Sequence, residues 1–417
     1  MNDPGKQMLE GIRILDLSVM TAGPVGTMLL ADLGADVIKV EEPGHGDLSR
    51  GLGNLFLNGE SVQFLSQNRN KRSIRIDLKQ PEGVALFLRL AKDADVIVEN
   101  FRPGTVKKLG IDYEAVKAVN PGIIYASGSA FGQDGPYAMW PANDPIVQAV
   151  SGLMEMTGEP DGPPVRIGAP LPDFGTAALM AFGITAALLH RLRTGEGQQL
   201  NVSLLSSSIF STIPRDGETL ISGKSPERLG SGHPTMVPYR NYLGSDKQFF
   251  FAACFTGKFW ANLCNTIGRP DLLTDPRFKT NTDRTQNRDE LDAILISIFA
   301  QRPAQEWVAI LTAADVPAAK VQTYHEALTE DPQVRHNKTL VEIQHPVAGA
   351  IKTLAHPVNF SKTPATYRKP PPVLGEHSRS VLADFGFSET EIVALQASGV
   401  VRASRLEDSA CHVDNNI

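Results

Sequence analysis

In Leu171-Pro172-Asp173-Phe174-Gly175-Thr176-Ala177 a single carboxylate stands directly ahead of an apolar run from Phe174 to Leu189. The run reads as a buried helix, short of the roughly 20 residues a bilayer span requires, which puts Asp173 at the helix N-cap. Two chemistries fit that place. Asp is among the commonest capping residues, accepting an otherwise unsatisfied N–H. The positive end of a helix also holds a carboxylate ionised, and its N–H groups can stabilise an oxyanion on a carbonyl under attack, so a nucleophile suits the same position. Spacing alone leaves both open.

Positive charge gathers in two other stretches. In Asn68-Arg69-Asn70-Lys71-Arg72-Ser73-Ile74-Arg75-Ile76-Asp77-Leu78-Lys79, basic side chains stand at 69, 71, 72, 75 and 79. Such a run is commonly a solvated face. If residues 73–78 form a strand, its ends carry the cations, and Lys79 and the turn at 69–72 would flank a polyanion. A second group, Asn100-Phe101-Arg102-Pro103-Gly104 with Lys107 and Lys108, follows the apolar run 96–98. Open α/β sheets bind ligands at the carboxyl ends of strands, and Phe101 offers a flat apolar face to a base. Together the two groups point to a nucleotide-like anion. A nicotinamide cofactor is disfavoured: the first strand-to-helix loop, Ser18 to Gly26, lacks G-x-G-x-x-G, and Pro24 removes an N–H that a pyrophosphate would use.

The elements that must hold these residues follow from periodicity. Short β-branched runs at 12–17, 37–40, 73–78, 96–98 and 123–126 alternate with helical stretches at 25–33, 81–92 and 113–119, the pattern of a parallel sheet covered by helices. A large Rossmann-like domain is therefore expected over residues 1–205. Ser, Gly and Pro then predict a linker over 206–229, followed by a small α+β domain over 230–328 with an aromatic strand at 248–254. An extended, proline-rich linker is expected over 329–372. The segment 373–417 is too poor in apolar periods to fold alone and is expected to pack back on the large domain.

Composition narrows the function. The 417 residues are 42% hydrophobic and 21% charged, with 40 basic against 46 acidic side chains, so no global pull toward nucleic acid exists. Three cysteines, Cys254, Cys264 and Cys411, are too few for a disulfide framework, and no zinc spacing is present. The amino-terminal stretch lacks the apolar core of a signal peptide. A cytoplasmic protein with no metal and no membrane contact is the expectation.

Taken together, the motifs resemble the class III CoA-transferase (CaiB/BaiF) family. They are Leu9-Glu10-Gly11-Ile12-Arg13-Ile14-Leu15-Asp16-Leu17, Ala22-Gly23-Pro24, Asp32-Leu33-Gly34-Ala35-Asp36-Val37-Ile38-Lys39-Val40-Glu41, Asn68-Arg69-Asn70-Lys71-Arg72-Ser73, Val98-Glu99-Asn100-Phe101-Arg102-Pro103-Gly104, Leu171-Pro172-Asp173 and Leu374-Gly375-Glu376-His377. The resemblance spans nearly the whole chain in family order. It implies a covalent catalyst at Asp173, whose carboxylate attacks an acyl-CoA thioester, with CoA itself as co-substrate and a free carboxylic acid as acceptor. It also implies an interlocked-ring homodimer.

By the same resemblance, CoA is contacted by Thr21, Ala22, Ile76, Asp77, Leu78, Lys79, Asn100, Phe101, Arg102 and Lys108. Where some members carry a basic residue, this chain has Glu42, so Lys39, Lys71 or Arg72 is expected to replace that phosphate contact. Gly230-Ser231-Gly232-His233-Pro234 stands where formyl-transferring members have a mobile glycine loop, and looks closer to members acting between succinyl-CoA and C4 to C6 dicarboxylates. His233 would reach an acceptor's second carboxylate, and Arg166 and Arg240 could hold it. Tyr137, Trp140 and Met154 are candidates to surround the acyl group. One alternative is α-methylacyl-CoA racemisation, but those members place a histidine in Gly-His-Asp where this chain has Asn143-Asp144, and asparagine cannot act as that base. The other is a CoA-binding module without catalysis, in which Asp173 is only a cap.

Overall fold

The computed structural model describes residues 7–404 and 406; Cys411 lies outside them. The chain divides into two compact units. The first takes the described residues through Ser151, then Ile167–Ile213, then those from His336 onward; the second is Gly152–Arg166 with Pro214–Arg335.

The first unit is built on a seven-stranded sheet in the order Val401–Arg402, Lys71–Ile76, Asp36–Glu41, Arg13–Asp16, Val96–Glu99, Ile124–Ser129, Gln198–Ser203. All pairings are parallel except that of the Val401–Arg402 strand, which runs antiparallel beside Ile76 and Arg75. Apolar side chains from Leu15, Ile38, Ile74 and Ile97 meet the Pro81–Lys92 helix on one face, through Leu86, Phe87 and Leu90. On the other face Ile14, Val37, Val96 and Val98 meet Met180 and Ile184 of the long Leu171–Thr194 helix. Burial on both faces is what a parallel sheet requires.

The long helix corrects the sequence reading. It has 24 residues, and its most apolar 18-residue stretch has a mean hydropathy of 1.4, long and apolar enough by length and composition to cross a bilayer. Here it is a core helix on one side only, with Ala177, Met180 and Ile184 buried while Phe182 and Leu192 are 72% and 84% exposed. It crosses the Ala22–Asp32 helix closely, a Cβ on Gly26 falling 3.0 Å from the Ala177 carbonyl oxygen. Residues 206–229, expected as a linker, carry the helices Leu204–Phe210 and Arg215–Ser222, the first capped by the Ser203 hydroxyl. The expected linker over 329–372 includes a hairpin pairing Leu340–His345 with Gly349–Leu354.

The second unit has a three-stranded antiparallel sheet, with Phe249–Ala253 between Tyr239–Leu243 and Ala318–Lys320. Its core is aromatic: Phe299 lies 4.7 Å from Tyr242, 5.1 Å from Phe250 and 5.1 Å from Trp307, ring centre to ring centre. Cys254 and Cys264 are buried and free, and burial pushes both thiols up to about 12, so they are inert.

Candidate active site

Asp173 lies one turn ahead of Ala177, and Ala22 one turn ahead of Gly26, so the helix crossing brings both helix starts to the carboxyl edge of the sheet. The helix is opened by Pro170, which makes Asp173 the third helical residue and not its N-cap. That difference matters chemically. An acid at this position ordinarily closes a capping box by accepting the N-cap N–H, and Pro170 has none. Among the described residues no donor reaches the Asp173 carboxylate; only its backbone N–H is engaged, by Asp144 Oδ2 at 3.2 Å. Burial first, and then the Asp144 charge, push the Asp173 carboxyl up from 3.8 to about 6. Among the described residues the Asp173 carboxylate therefore has neither cap duty nor an ion-pair partner.

Asp144 is the residue that sequence reasoning missed. It sits in the first turn of the Asp144–Val150 helix, capped by the Asn143 side chain, which gives the asparagine a structural task. Gln148 Nε2 donates to Asp144 Oδ1 at 2.6 Å, while Gln148 Oε1 accepts from Ile167 N at 2.9 Å. Hydrogen bonds therefore link Ile167, Gln148, Asp144 and the Asp173 N–H in one chain beside the Asp173 carboxylate.

The first loop is held from every side. Asn100 exchanges two hydrogen bonds with the Val19 backbone, both 2.8 Å. Lys39 Nζ donates to Ser18 O at 2.7 Å, and Met20, at φ 70°, gives its N–H to Asp47 Oδ1 at 3.0 Å. Gly23 is required by close approach, since a Cβ there would stand 2.2 Å from Ser18 Cβ. Thr21 and Ala22, at the loop's end, are thereby fixed. The neighbouring turn is pinned by Glu99, another residue the sequence did not single out, whose Oε2 accepts Phe101 N–H at 2.9 Å. Burial raises the Glu99 carboxyl to about 7 against the opposing bonds from Ser127 and Phe101.

The expected phosphate cations divide sharply. Lys39 is 1% exposed and paired with Asp47 at 2.7 Å; Arg72 pairs with Asp36 and Asp384, both 2.6 Å. Lys71, fully buried, lies 2.9 Å from Asp16, and Arg69 is 2.6 Å from Asp32. Lys39, Lys71 and Arg72, the candidates for the phosphate contact, are thus each paired within the protein: Lys39 fastens the first loop and the Asp47 turn, while Lys71 and Arg72 fasten the Lys71–Ile76 strand, which begins two residues earlier than expected. Although burial opposes it, Lys71 and then Lys39 hold the Asp16 carboxyl down to about 2. Glu42 turns its carboxylate to the N–H groups of His45 and Gly46. Exposed cations remain at Lys79, Arg102 and Lys108, with Ile76 buried and Asp77, Leu78, Asn100 and Phe101 half-buried at the same edge.

A cavity of about 580 Å³ opens beside the long helix, lined by Phe131, Leu179, Ser203, Ser207 and Phe210 among others. Ser207 Oγ would lie 2.5 Å from a Cβ on Gly175, two residues beyond Asp173. Tyr137 and Trp140 are exposed and stack at 4.0 Å. In the second unit, Gly230 and Ser231 form a turn closed by Gly232 N–H on the Leu229 carbonyl at 2.7 Å, and His233 follows it; Ser231 Oγ accepts Asn241 N–H at 3.0 Å, and His233 Nδ1 accepts Thr235 N–H at 3.2 Å. Arg240 is neutralised by Asp292 at 2.5 Å, and Arg166 is exposed. No cluster of His, Cys, Asp and Glu suited to a metal occurs among the described residues.

This architecture and site have counterparts. Residues 9–378 match the model of CoA-transferase family III. The chain is 40% identical to succinyl-CoA:glutarate CoA-transferase of Mus musculus, covering 94% of this chain and 90% of the relative. It is 38% identical to acetyl-CoA:oxalate CoA-transferase of Acetobacter aceti, over 93% and 98% of the two chains. The crystal structure of a CaiB/BaiF family protein from Brucella suis superposes with a TM-score of 0.81 at 36% identity, covering 91% of this chain and 99% of that one. The chain belongs to CoA-transferase family III, and it is an enzyme of that class.

Proposed function

We propose that this CoA-transferase moves CoA from succinyl-CoA, or a similar acyl-CoA, to a free dicarboxylic acid through an aspartyl-CoA thioester on Asp173. The observation that carries the reading is the Asp173 carboxylate itself, desolvated, without a hydrogen-bond donor, and ionised in most molecules at neutral pH. Its oxygen attacks the thioester carbonyl, the C–S bond breaks, and a mixed anhydride and CoA thiolate result. The thiolate then attacks the aspartyl carbonyl and expels the donor acid, leaving CoA on Asp173. The acceptor carboxylate attacks that thioester, and the returning thiolate cleaves the second anhydride on the acceptor side, restoring Asp173. No proton, metal or nucleotide triphosphate is needed for the balance.

The loop at Thr21 and Ala22, the strand end at Ile76, Asp77, Leu78 and Lys79, and the turn at Asn100, Phe101, Arg102 and Lys108 are proposed to hold CoA, with the exposed cations on its phosphates. Dicarboxylic acceptors are supported by the names of the relatives, one of which acts on glutarate and another on oxalate. Purified protein supplied with succinyl-CoA and a panel of acids, read by mass of the new CoA ester, tests the reading. Glutaryl-CoA or a close homologue is expected, and Asp173→Ala is expected to form none; a fully active Asp173→Ala enzyme refutes it.

The exposed apolar residues on the long helix, Phe182 and Leu192 foremost, support a homodimer in which a second copy covers them. An interlocked ring is the form proposed. Sedimentation at micromolar concentration is expected to show only dimer, and an active monomer contradicts it.

A further inference from the structure

The Leu171–Thr194 helix carries three threonines, and they do not behave alike. Thr185 and Thr194 give their hydroxyls to carbonyl oxygens four residues back, Ala181 O at 2.8 Å and His190 O at 3.0 Å, the usual recourse of a threonine inside a helix. Thr176 is fully buried, and among the described residues its hydroxyl has no hydrogen-bond partner. Other deeply buried hydroxyls of the first unit find acceptors: Thr27 donates to Asp16 at 2.7 Å, and Ser208 to the Leu204 carbonyl oxygen at 2.7 Å. Burying a hydroxyl without a partner opposes folding, and a valine of the same shape would avoid that loss. Position gives the hydroxyl a use. Asp173, Thr176, Met180 and Ile184 follow one another at helical spacing along one face, the last two packed on the sheet. Helical side chains lean toward the helix N-terminus, so Thr176 leans over the turn that holds Asp173, with Cβ atoms roughly 5–6 Å apart at this spacing. An acceptor without a donor and a donor without an acceptor thus stand one turn apart.

We propose that the Thr176 hydroxyl donates a hydrogen bond to the Asp173 carbonyl oxygen in the steps that attack the aspartyl carbon. The inference rests on the covalent reading above and concerns only those steps. When the CoA thiolate adds to the aspartyl carbonyl of the mixed anhydride, a C–S bond forms and the C=O electron pair moves onto the Asp173 oxygen. That pair returns as the donor acid leaves with the electrons of its C–O bond. The acceptor carboxylate raises the same oxyanion when it adds to the aspartyl thioester and expels the thiolate. A hydroxyl one turn away stabilises both oxyanions and keeps its proton throughout. The first step, in which the charge develops on the donor's own carbonyl oxygen, does not use it. Because the bond is not made in the resting enzyme, it lowers the barrier without tightening the ground state.

The test follows isotope-labelled succinate exchanging into succinyl-CoA, a reaction in which donor and acceptor acid are the same, in the full-length wild type, Thr176→Val, Thr176→Ser and Thr176→Ala. Affinity for free CoA, the melting temperature and the mass of the Asp173 peptide from quenched enzyme are measured alongside. Thr176→Val keeps the shape and removes the donor. It is expected to slow exchange on the order of 100-fold, with CoA affinity unchanged and melting at or above the wild-type temperature. Thr176→Ser is expected to recover most of the rate. Thr176→Ala deletes the same donor and is expected to be as slow as valine, which it replaces as the test if the valine variant does not fold. Undiminished exchange without the hydroxyl, a loss accompanied by weaker CoA binding and lower melting in Thr176→Val, or a serine variant as slow as valine overturns the proposal. A wild type that neither exchanges label nor carries CoA on Asp173 sinks the transferase reading and this inference with it. A wild type that does both, matched in rate by Thr176→Val, sinks this inference alone.

Discussion

Replacing Asp144 by Asn removes the like charge beside Asp173 and keeps a side chain of the same shape at the head of its helix. The rise of the Asp173 carboxyl from 3.8 to about 6 is worth about 3 kcal/mol. Burial is the larger cause and Asp144 the smaller, so Asp144 accounts for at most half, about 1.5 kcal/mol or one pH unit. On the proposed mechanism Asp173 attacks only when ionised, and kcat/KM reports the free enzyme, so the acidic limb in the wild type is expected near pH 6. In Asp144→Asn that limb shifts down by up to about one unit, because the remaining burial still holds the carboxyl above its ordinary range. The amide offers one acceptor where the carboxylate offered two, to Gln148 and to the Asp173 N–H, so the rate plateau is expected to fall as well. The position of the limb, and not the height of the plateau, is therefore the readout, taken from kcat/KM between roughly pH 4.5 and 8. A limb that stays put, moves upward, or lies near 4 in the wild type refutes the coupling.

Three further outcomes follow from the same geometry. A carboxyl raised by folding destabilises the native state once ionised, so stability is lost as pH climbs from about 4 through about 6; Asp173→Asn is expected to gain about 1–2 kcal/mol at pH 7.5, after discount for its partial exposure, and nothing at pH 4, read by denaturant melts. Asp16 has the opposite sign: its carboxyl is depressed to about 2, so roughly 2 kcal/mol present at neutral pH fades as pH falls below about 4, and Asp16→Asn flattens that acid limb of stability. Lys39→Met strands the buried Asp47 and is expected to cost about 3–5 kcal/mol, whereas Arg102→Gln and Lys108→Gln leave the melting curve unchanged and raise the KM for the CoA ester several-fold.

The parallel sheet was legible because its strands are β-branched runs buried on both faces. Two strands were not. Gln198–Ser203 is an edge strand reading QQLNVS, mostly exposed, whose only apolar alternation, Leu200 and Val202, is too short to announce it. Val401–Arg402 is two residues long and exists only through its pairing with Ile76 and Arg75. The basic run at 69–75 misled for a physical reason: side chains that look solvated in sequence are buried because Asp16 and Asp36 from neighbouring strands and Asp32 from the end of the Ala22–Asp32 helix pair with them. Asp173 could be singled out by its place before an apolar helix, but its third-residue position depended on Pro170 opening the helix. Asp144, 29 residues away, could be connected to it only by the fold.

Mass spectrometry of the peptide containing Asp173, taken from enzyme quenched within its first turnover on succinyl-CoA, tests the covalent reading most directly. The expected result is CoA attached to the Asp173 side chain, converted to a hydroxamate by hydroxylamine and missing when the acyl-CoA is omitted. Steady transfer of CoA between acids with Asp173 unmodified throughout would contradict it.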